Sequence, residues 1–333
     1  MSYIDATKNQ HFLSQVEQRL NSIPGKGKKI YSFVLKDRET CTFELENVNG
    51  IGIQSNLSFI DLYTFEFLDE GMRKNFESAF GVYESKIGSA TSALLDKIKA
   101  NDENILEELN DVLRLKFLNF IRNPYNIKKV LNSIGVLAEH YPVQEQLREE
   151  YRLLEKRNDG GIERICRDFD VTREQYLNWM KVIFLSLIDV GGGETILEHL
   201  VRELFENKGL GTAATIYGIS DAHPDKKVVL SDRSYVDYSV AADGNLMMAF
   251  NLNANYFIKF AILDVTRFLE EKAPAGMDKE KVMEAFLKLH KNVNVYVQED
   301  NEEALSQLAG YNMNAVYQCH SKVFCSIPSI YMG

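Results

Sequence analysis

From Asp69 to about Asn207 the apolar residues keep a spacing of three or four, which confines the middle of the chain to packed amphipathic helices. Ile105, Leu109, Val112, Phe117 and Phe120 mark one such face. Thr172 followed by Gln175 has the spacing of a capping box, and it places a helix start ahead of a stripe of Tyr176, Trp179, Met180 and Ile183. An aromatic stripe at helical period is read as core. The most apolar run, Val182 to Val190, is about half as long as the roughly 18 residues a membrane span needs. It runs into Gly191-Gly192-Gly193, which suits a buried helix end followed by a helix-to-helix turn.

The flanks have a different character. Near the start, Gln10 to Leu20 reads as a short helix, Pro24 to Gly27 as a turn, and Lys29–Leu35 with Thr40–Glu46 as paired strands. Beyond Gly211 come short β-rich runs at Thr212–Ile219, Lys227–Leu230, Tyr235–Val240, Leu246–Leu252 and Val293–Val297. Helices are expected from Asp278 to Lys291, with Val282, Phe286 and Leu289 in register, and from Asn301 to Tyr311. The chain is therefore expected to be α+β, predominantly helical at its centre, with short antiparallel strands near the N-terminus and in the C-terminal third. No repeat or proline-rich linker divides it, so residues 1–333 read as a single α+β unit. A subdivision, if imposed, gives a β entry over 1–68, a helical core over 69–207 and a β-rich region with two helices over 208–333.

Charge bounds the partners. Against 38 Lys+Arg stand 48 Asp+Glu, a formal net charge of -10, which disfavours broad charge-driven binding to nucleic acid or anionic membrane and leaves room for a local basic cleft. The four cysteines, Cys41, Cys166, Cys319 and Cys325, include no CxxC pair, so reduced thiols in a cytoplasmic setting fit better than a disulfide framework or a zinc site. The opening MSYIDATKNQHFL lacks the basic and apolar regions of a signal peptide, and no membrane partner is expected.

Several local patterns carry chemistry. Gly191-Gly192-Gly193-Glu194 before Thr195 could present backbone N–H groups to a phosphate, although the lysine of a P-loop is missing and a turn explains the glycines better. Asp221, His223 and Asp225 alternate along a loop and could offer three ligands to a divalent cation, Mg²⁺ or Mn²⁺; the same residues also make an ordinary turn. Glu198 and His199 form no HExxH, and surface solvation accounts for them. No GxSxG elbow or recognisable nucleophilic cysteine is present, so covalent hydrolysis has no positive support.

Gln10-His11-Phe12-Leu13, then Lys29-Ile30-Tyr31, then Asp61-Leu62-Tyr63-Thr64 resemble the opening of a bacterial domain-of-unknown-function family that begins Gln-His-aromatic-aliphatic-Pro. The resemblance continues through Phe76-Glu77, Tyr83-Glu84-Ser85, Phe120-Ile121-Arg122-Asn123-Pro124 and Leu230-Ser231-Asp232, the last similar to the family's Ser-Asp-Asn-Pro motif. Ser14 stands where the family has proline, and Arg233-Ser234 where it has Asn-Pro. The resemblance implies an accessory bacterial protein acting in stress or phage defence, and it singles out His11, Glu84, Arg122, Ser231 and Asp232. Together these residue types can cleave a phosphodiester: histidine exchanges a proton near neutral pH, a carboxylate acts as base or cation ligand, and arginine stabilises phosphate charge. RNA or DNA held in a restricted pocket is the substrate this implies. The bland alternative makes Glu84 and Arg122 an internal ion pair, Ser231-Asp232 a turn and His11 a helix cap. A non-catalytic sensor, inhibitor or other interaction protein, binding a protein partner through an exposed apolar patch, is the competing function.

Overall fold

The computed structural model describes residues 3–102, 104–157, 159–207, 209–239, 245–265, 267, 281 and 293–333. The protein is mixed α+β, with helices through its middle and short, mainly antiparallel sheets near the N-terminus and in the C-terminal third. Its residues group into two compact units, each drawn from separated stretches. Met1–Ile30, Asn49–His199 and Asp232–Ser234 form the first; Tyr31–Val48, Leu200–Ser231 and Tyr235–Gly333 form the second. The helix expected from Asp278 to Lys291, with His290, falls outside the described residues apart from Lys281.

In the first unit, α1 (Gln15–Leu20) is started by Ser14, whose Oγ accepts the Glu17 N–H at 3.1 Å. His11 is therefore not its cap. It ends the strand Asn9–His11, paired antiparallel with Ser58–Ile60. The long α2 (Glu77–Lys99) buries Ala79, Phe80, Tyr83, Ile87, Thr91, Leu94, Leu95 and Ile98, a helical stripe, and Lys97 and Lys99 complement the dipole at its end. Then α3 (Leu106–Arg122) stops where Pro124 forces Asn123 into extended backbone (φ -75, ψ 121). Four further helices follow: α4 (Ile127–Ile134), α5 (Glu145–Lys156), α6 (Gly160–Asp168) and α7 (Arg173–Ser186). The capping box at Thr172 and Gln175 is present in both directions, at 3.1 and 2.9 Å.

The aromatic stripe of α7 is core. Tyr176, Trp179, Met180 and Ile183 are all buried. The indole N–H of Trp179 donates to the Ile121 carbonyl at 2.7 Å, and the Tyr176 hydroxyl to the Leu62 carbonyl at 2.7 Å, so each buried polar tip is satisfied. The Trp179 bond ties α7 to the end of α3, where Arg122 sits, and the Tyr176 bond ties it to the segment after the strand Ser58–Ile60.

After α7 the structure departs from expectation. The glycines do not turn one helix into the next; they shape a hairpin, Asp189–Gly191 against Glu194–Thr195, with Gly191, Gly192 and Gly193 at φ 119, 72 and 84. Val190 rides on this hairpin and is 53% exposed, so the core part of the apolar run ends sooner. Glu198 is also more than a solvated surface group. Its carboxylate accepts the Thr195 N–H at 2.8 Å while Thr195 Oγ1 accepts the Glu198 N–H at 3.2 Å, a second capping box that opens α8 (Ile196–Glu206).

The second unit is built on a five-stranded sheet in the order Val236–Asp237, Leu246–Asn251, Tyr256–Asp264, Leu210–Gly218, Val293–Glu299. The last pair is parallel and the others antiparallel. Its middle strand, Tyr256–Asp264, was not expected from the sequence. The run Tyr-Phe-Ile-Lys-Phe-Ala-Ile-Leu lacks alternation because residues on both of its faces, Phe257 on one and Ile258 and Phe260 on the other, are buried. The helix Glu302–Gln318 packs here, with Tyr311 stacked on Phe257 at a centroid separation of 4.6 Å. Strands Thr42–Leu45 and Lys322–Cys325 flank the segment of Lys29–Asp37 that belongs to this unit, confirming the N-terminal strand pairing. Among the described residues, no helix is long and apolar enough to cross a membrane.

Candidate functional site

The polar residues of α2, α3 and the N-terminal strand meet inside the first unit. Arg122, the last residue of α3, is 0% exposed; its Nη1 donates to Glu84 Oε1 on α2 at 2.6 Å, and its Nε to Asn119 Oδ1 at 3.1 Å. The guanidinium carbon lies 4.8 Å from the centroid of the Phe80 ring, one turn before Glu84 on the same helix face. Burial opposes the charge of Arg122, but Glu84, Tyr63 and Glu77 outweigh it and shift its pKa upward. Asn119 in turn donates to Glu17 Oε2 and Lys116 to Glu17 Oε1, a buried chain that fixes the approach of α1 to α3.

His11 stands at the edge of this cluster, half-buried. Its Nε2 lies 3.1 Å from the Gln54 carbonyl. A carbonyl only accepts, so the proton sits on Nε2 and the Nδ1 lone pair is left as the basic atom. Burial, the largest influence, lowers the imidazole below its ordinary pKa; Arg122 and Arg19 act the same way, against the Gln54 bond and Glu84. The ring thus has its pKa shifted downward and lies within the field of both Glu84 and Arg122.

Asp232 enters from a distant stretch of sequence. It is 1% exposed, and its backbone carbonyl accepts from Asn123 Nδ2 at 2.7 Å. The neighbouring Arg233 carbonyl accepts from Asn126 Nδ2 at 3.1 Å, so the turn Asp232–Ser234 is laced to the residues directly after Arg122. Asp232 also helps burial raise the Tyr125 phenol, and Phe12, next to His11, meets Tyr125 edge-on at 5.4 Å. Of the four residues, Glu84 and Arg122 are in side-chain contact, His11 lies within their electrostatic field, and Asp232 is tied by its backbone carbonyl to Asn123, the residue after Arg122. Ser231 belongs to the second unit, where it pairs with Val323.

Four buried atoms here lack a hydrogen-bond partner among the described residues: Arg122 Nη2, Glu77 Oε1, Asn126 Oδ1 and Ser234 Oγ. Ser234 also has φ 68, a left-handed backbone that costs a residue other than glycine about 1–3 kcal/mol. Such orphaned groups and strain concentrate where a protein handles a ligand. Sequence reading missed Glu77, Asn126 and Ser234. The signal for Glu77 was its position seven residues before Glu84, two helical turns away on one face of α2.

The residues suggested for a cation are arranged differently. Asp221 Oδ1 accepts from Lys227 Nζ at 3.1 Å and from Asn255 Nδ2 at 3.2 Å, and the His223 N–H donates to the Ser220 carbonyl at 3.2 Å in a turn. Asp221, His223 and Asp225 are not gathered into a ligand set, and no group of three or more His, Cys, Asp or Glu side chains suited to a metal ion occurs among the described residues.

A separate feature of the first unit is an apolar groove of about 620 Å³ between the start of α5, the end of α7 and the glycine hairpin, lined by Leu137, Leu147, Leu185, Ile188 and Ile196. Tyr141, Val143 and Val190 at its margin are 57%, 88% and 53% exposed.

Family models, curated proteins and solved structures yield no match to this chain. The functional reading therefore rests on the chemistry of the side chains themselves.

Proposed function

We propose that the cluster around Arg122 is a hydrolytic site for a phosphodiester. The observation that carries the reading is the second terminal nitrogen of Arg122, buried and without a hydrogen-bond partner among the described residues, in the electrostatic field that also acts on His11. An arginine so placed offers a charge-assisted donor to a phosphoryl oxygen, and removal of water strengthens it. Glu84, whose side chain is 28% exposed, orients the guanidinium through its other terminal nitrogen. His11 Nδ1 takes the proton of the attacking water. An acidic chain of net charge -10 fits a short or structured nucleic-acid substrate in a confined site better than a long duplex gripped along its backbone.

The test is cleavage of labelled RNA and DNA pools, with Mg²⁺, with Mn²⁺ and with chelator. Wild type is expected to cleave, His11→Ala to lose roughly 10²–10⁴-fold in rate at unchanged thermal stability, and Glu84→Gln to lose rate and stability together, because it takes the carboxylate from buried Arg122. Absence of cleavage, or cleavage indifferent to both changes, overturns the reading.

The groove favours a second reading, a binding module for a partner protein. Exposed Asp189 lines the groove beside its apolar floor, so the occupant of matching chemistry is an amphipathic segment with a basic flank. A fluorescent peptide of that kind should bind wild type and be lost on Val143→Glu, while its acid-flanked counterpart binds neither. Equal binding of the two peptides removes the charge argument and the reading with it.

A further inference from the structure

We propose that the outer edge of the strand Val293–Glu299 is a self-association surface, on which two copies of the chain pair antiparallel across a two-fold axis at Tyr296 and join their sheets into one. The proposal concerns the second unit and is independent of the phosphodiester reading.

A strand at the margin of a sheet leaves a row of N–H and C=O groups without ladder partners, and native edges are usually blunted by shortness, lysine, proline or a bulge. The opposite margin of this sheet follows that rule, since Val236–Asp237 is two residues long. Val293–Glu299 follows none of it. The strand runs seven residues, keeps an unbroken parallel register with residues 212–218, and its sequence Val-Asn-Val-Tyr-Val-Gln-Glu contains no lysine, proline or glycine. Among the described residues no strand pairs with its outer side. Tyr296 and Val297 are 54% and 40% exposed there, large groups left in water on a strand that could bury them by pairing.

The second copy is the occupant because the strand reads nearly the same in both directions about its centre. Tyr296 has Val295 and Val297 at its sides, then Asn294 and Gln298, then Val293 and Glu299. Antiparallel pairing across an axis at Tyr296 therefore sets tyrosine opposite tyrosine, valine opposite valine and amide opposite amide. Aromatic and β-branched pairs stabilise such ladders, and like charges directly opposite each other destabilise them. The single charged residue of the strand, Glu299, meets Val293 of the second copy, so no like charges are opposed. The faces agree as well. Val295 and Val297 stand beside Ala214 and Ile216, which in turn pair with Phe260 and Ile258, all four buried. In the paired register that apolar layer continues through the valines of both copies, whereas a slip of one residue would turn every side chain to the wrong face.

A seven-residue edge gives a small interface, so the expected state is a reversible monomer–dimer equilibrium. Sedimentation velocity of the full chain over a concentration series is expected to show the mass rising from one copy to two. Tyr296→Lys, which sets two ammonium groups opposite each other at an exposed position, should stay monomeric across the series with an unchanged melting temperature. Crosslinking tests the register. Residue 296 is the strand position that faces its own copy, with opposed Cα atoms roughly 4.5–5.5 Å apart, within reach of a disulfide. In a background where Cys41 and Cys166, the two cysteines that are not fully buried, are serine, Tyr296→Cys is expected to form a covalent dimer on oxidation. Asn294→Cys, which faces Gln298 of the second copy, is expected not to. A wild type monomeric at every concentration, the result if the edge receives a strand of another protein or none, overturns the proposal. A dimer that survives Tyr296→Lys, or that crosslinks through Asn294→Cys as readily as through Tyr296→Cys, overturns it too.

Discussion

Replacing Glu17 with leucine is expected to lower the stability of the first unit by about 3–5 kcal/mol, the cost of leaving a buried charge without its partner. Lys116 is 1% exposed and its ammonium is bonded to Glu17 Oε1, so the substitution leaves a cation in an apolar interior between α1 and α3. Asn119 loses the acceptor for its amide as well, and Asn119 is the residue that holds Arg122 Nε. The double variant Glu17→Leu with Lys116→Met should regain most of the loss, because both charges then leave together and the volume is kept. Urea unfolding followed by Trp179 fluorescence measures all three, since this sole tryptophan is buried in the same unit. A single variant as stable as wild type would show that the pair contributes nothing to holding α1 on α3.

The link from Glu17 through Asn119 to Arg122 explains why part of the site was legible in the sequence and part was not. Helical periodicity located the helical middle of the chain, with the stripes of α3 and α7, and the Thr172–Gln175 capping box followed from residues three apart, whereas the equivalent pair Thr195 and Glu198 was read as surface. The N-terminal strand pairing had a turn and two β-rich runs to mark it. Tyr256–Asp264 had no such mark, since a strand buried on both faces reads as an undivided apolar run. Arg122, Glu84 and His11 were named as candidate site residues, whereas Glu77 entered only within the Phe76-Glu77 motif; a carboxylate in the first turn of a helix ordinarily faces water and favours the dipole. In the folded protein it is largely desolvated instead, with Arg122 of α3 acting on it. The turn Asp232–Ser234 shows the same limit: Asn123 and Asn126 reach its carbonyls across more than a hundred residues of chain, which no spacing rule anticipates.

The burial of Glu77 has a thermodynamic signature that can be measured without any substrate. Its folded-state pKa, pushed up to about 8, stands above the ordinary glutamate value near 4.5 that the unfolded chain retains. Between those values the folded protein keeps the proton and the unfolded chain releases it, so the folded state binds more protons and stability falls as pH rises. This is the reverse of a carboxylate held ionised by a salt bridge, which loses stability as pH falls. The penalty is absent below about pH 4, grows through neutrality and is complete above the folded pKa. Each pH unit separating the folded from the unfolded value costs roughly 1.4 kcal/mol, so the full penalty is about 3–5 kcal/mol. Glu77→Gln keeps the shape and the neutral state while removing the titration. Its stability relative to wild type should therefore rise steadily from pH 5 to pH 8 and level off beyond, with the two proteins nearly equal at the acid end. The comparison also separates Glu77 from His11, whose lowered pKa works with the opposite sign: its neutral folded form favours stability as pH rises, and that contribution is common to both proteins. Parallel stability curves for wild type and Glu77→Gln would mean that Glu77 ionises normally in the folded protein. The carboxyl would then be reached by water, and a neutral acid beside Arg122 would have no physical basis.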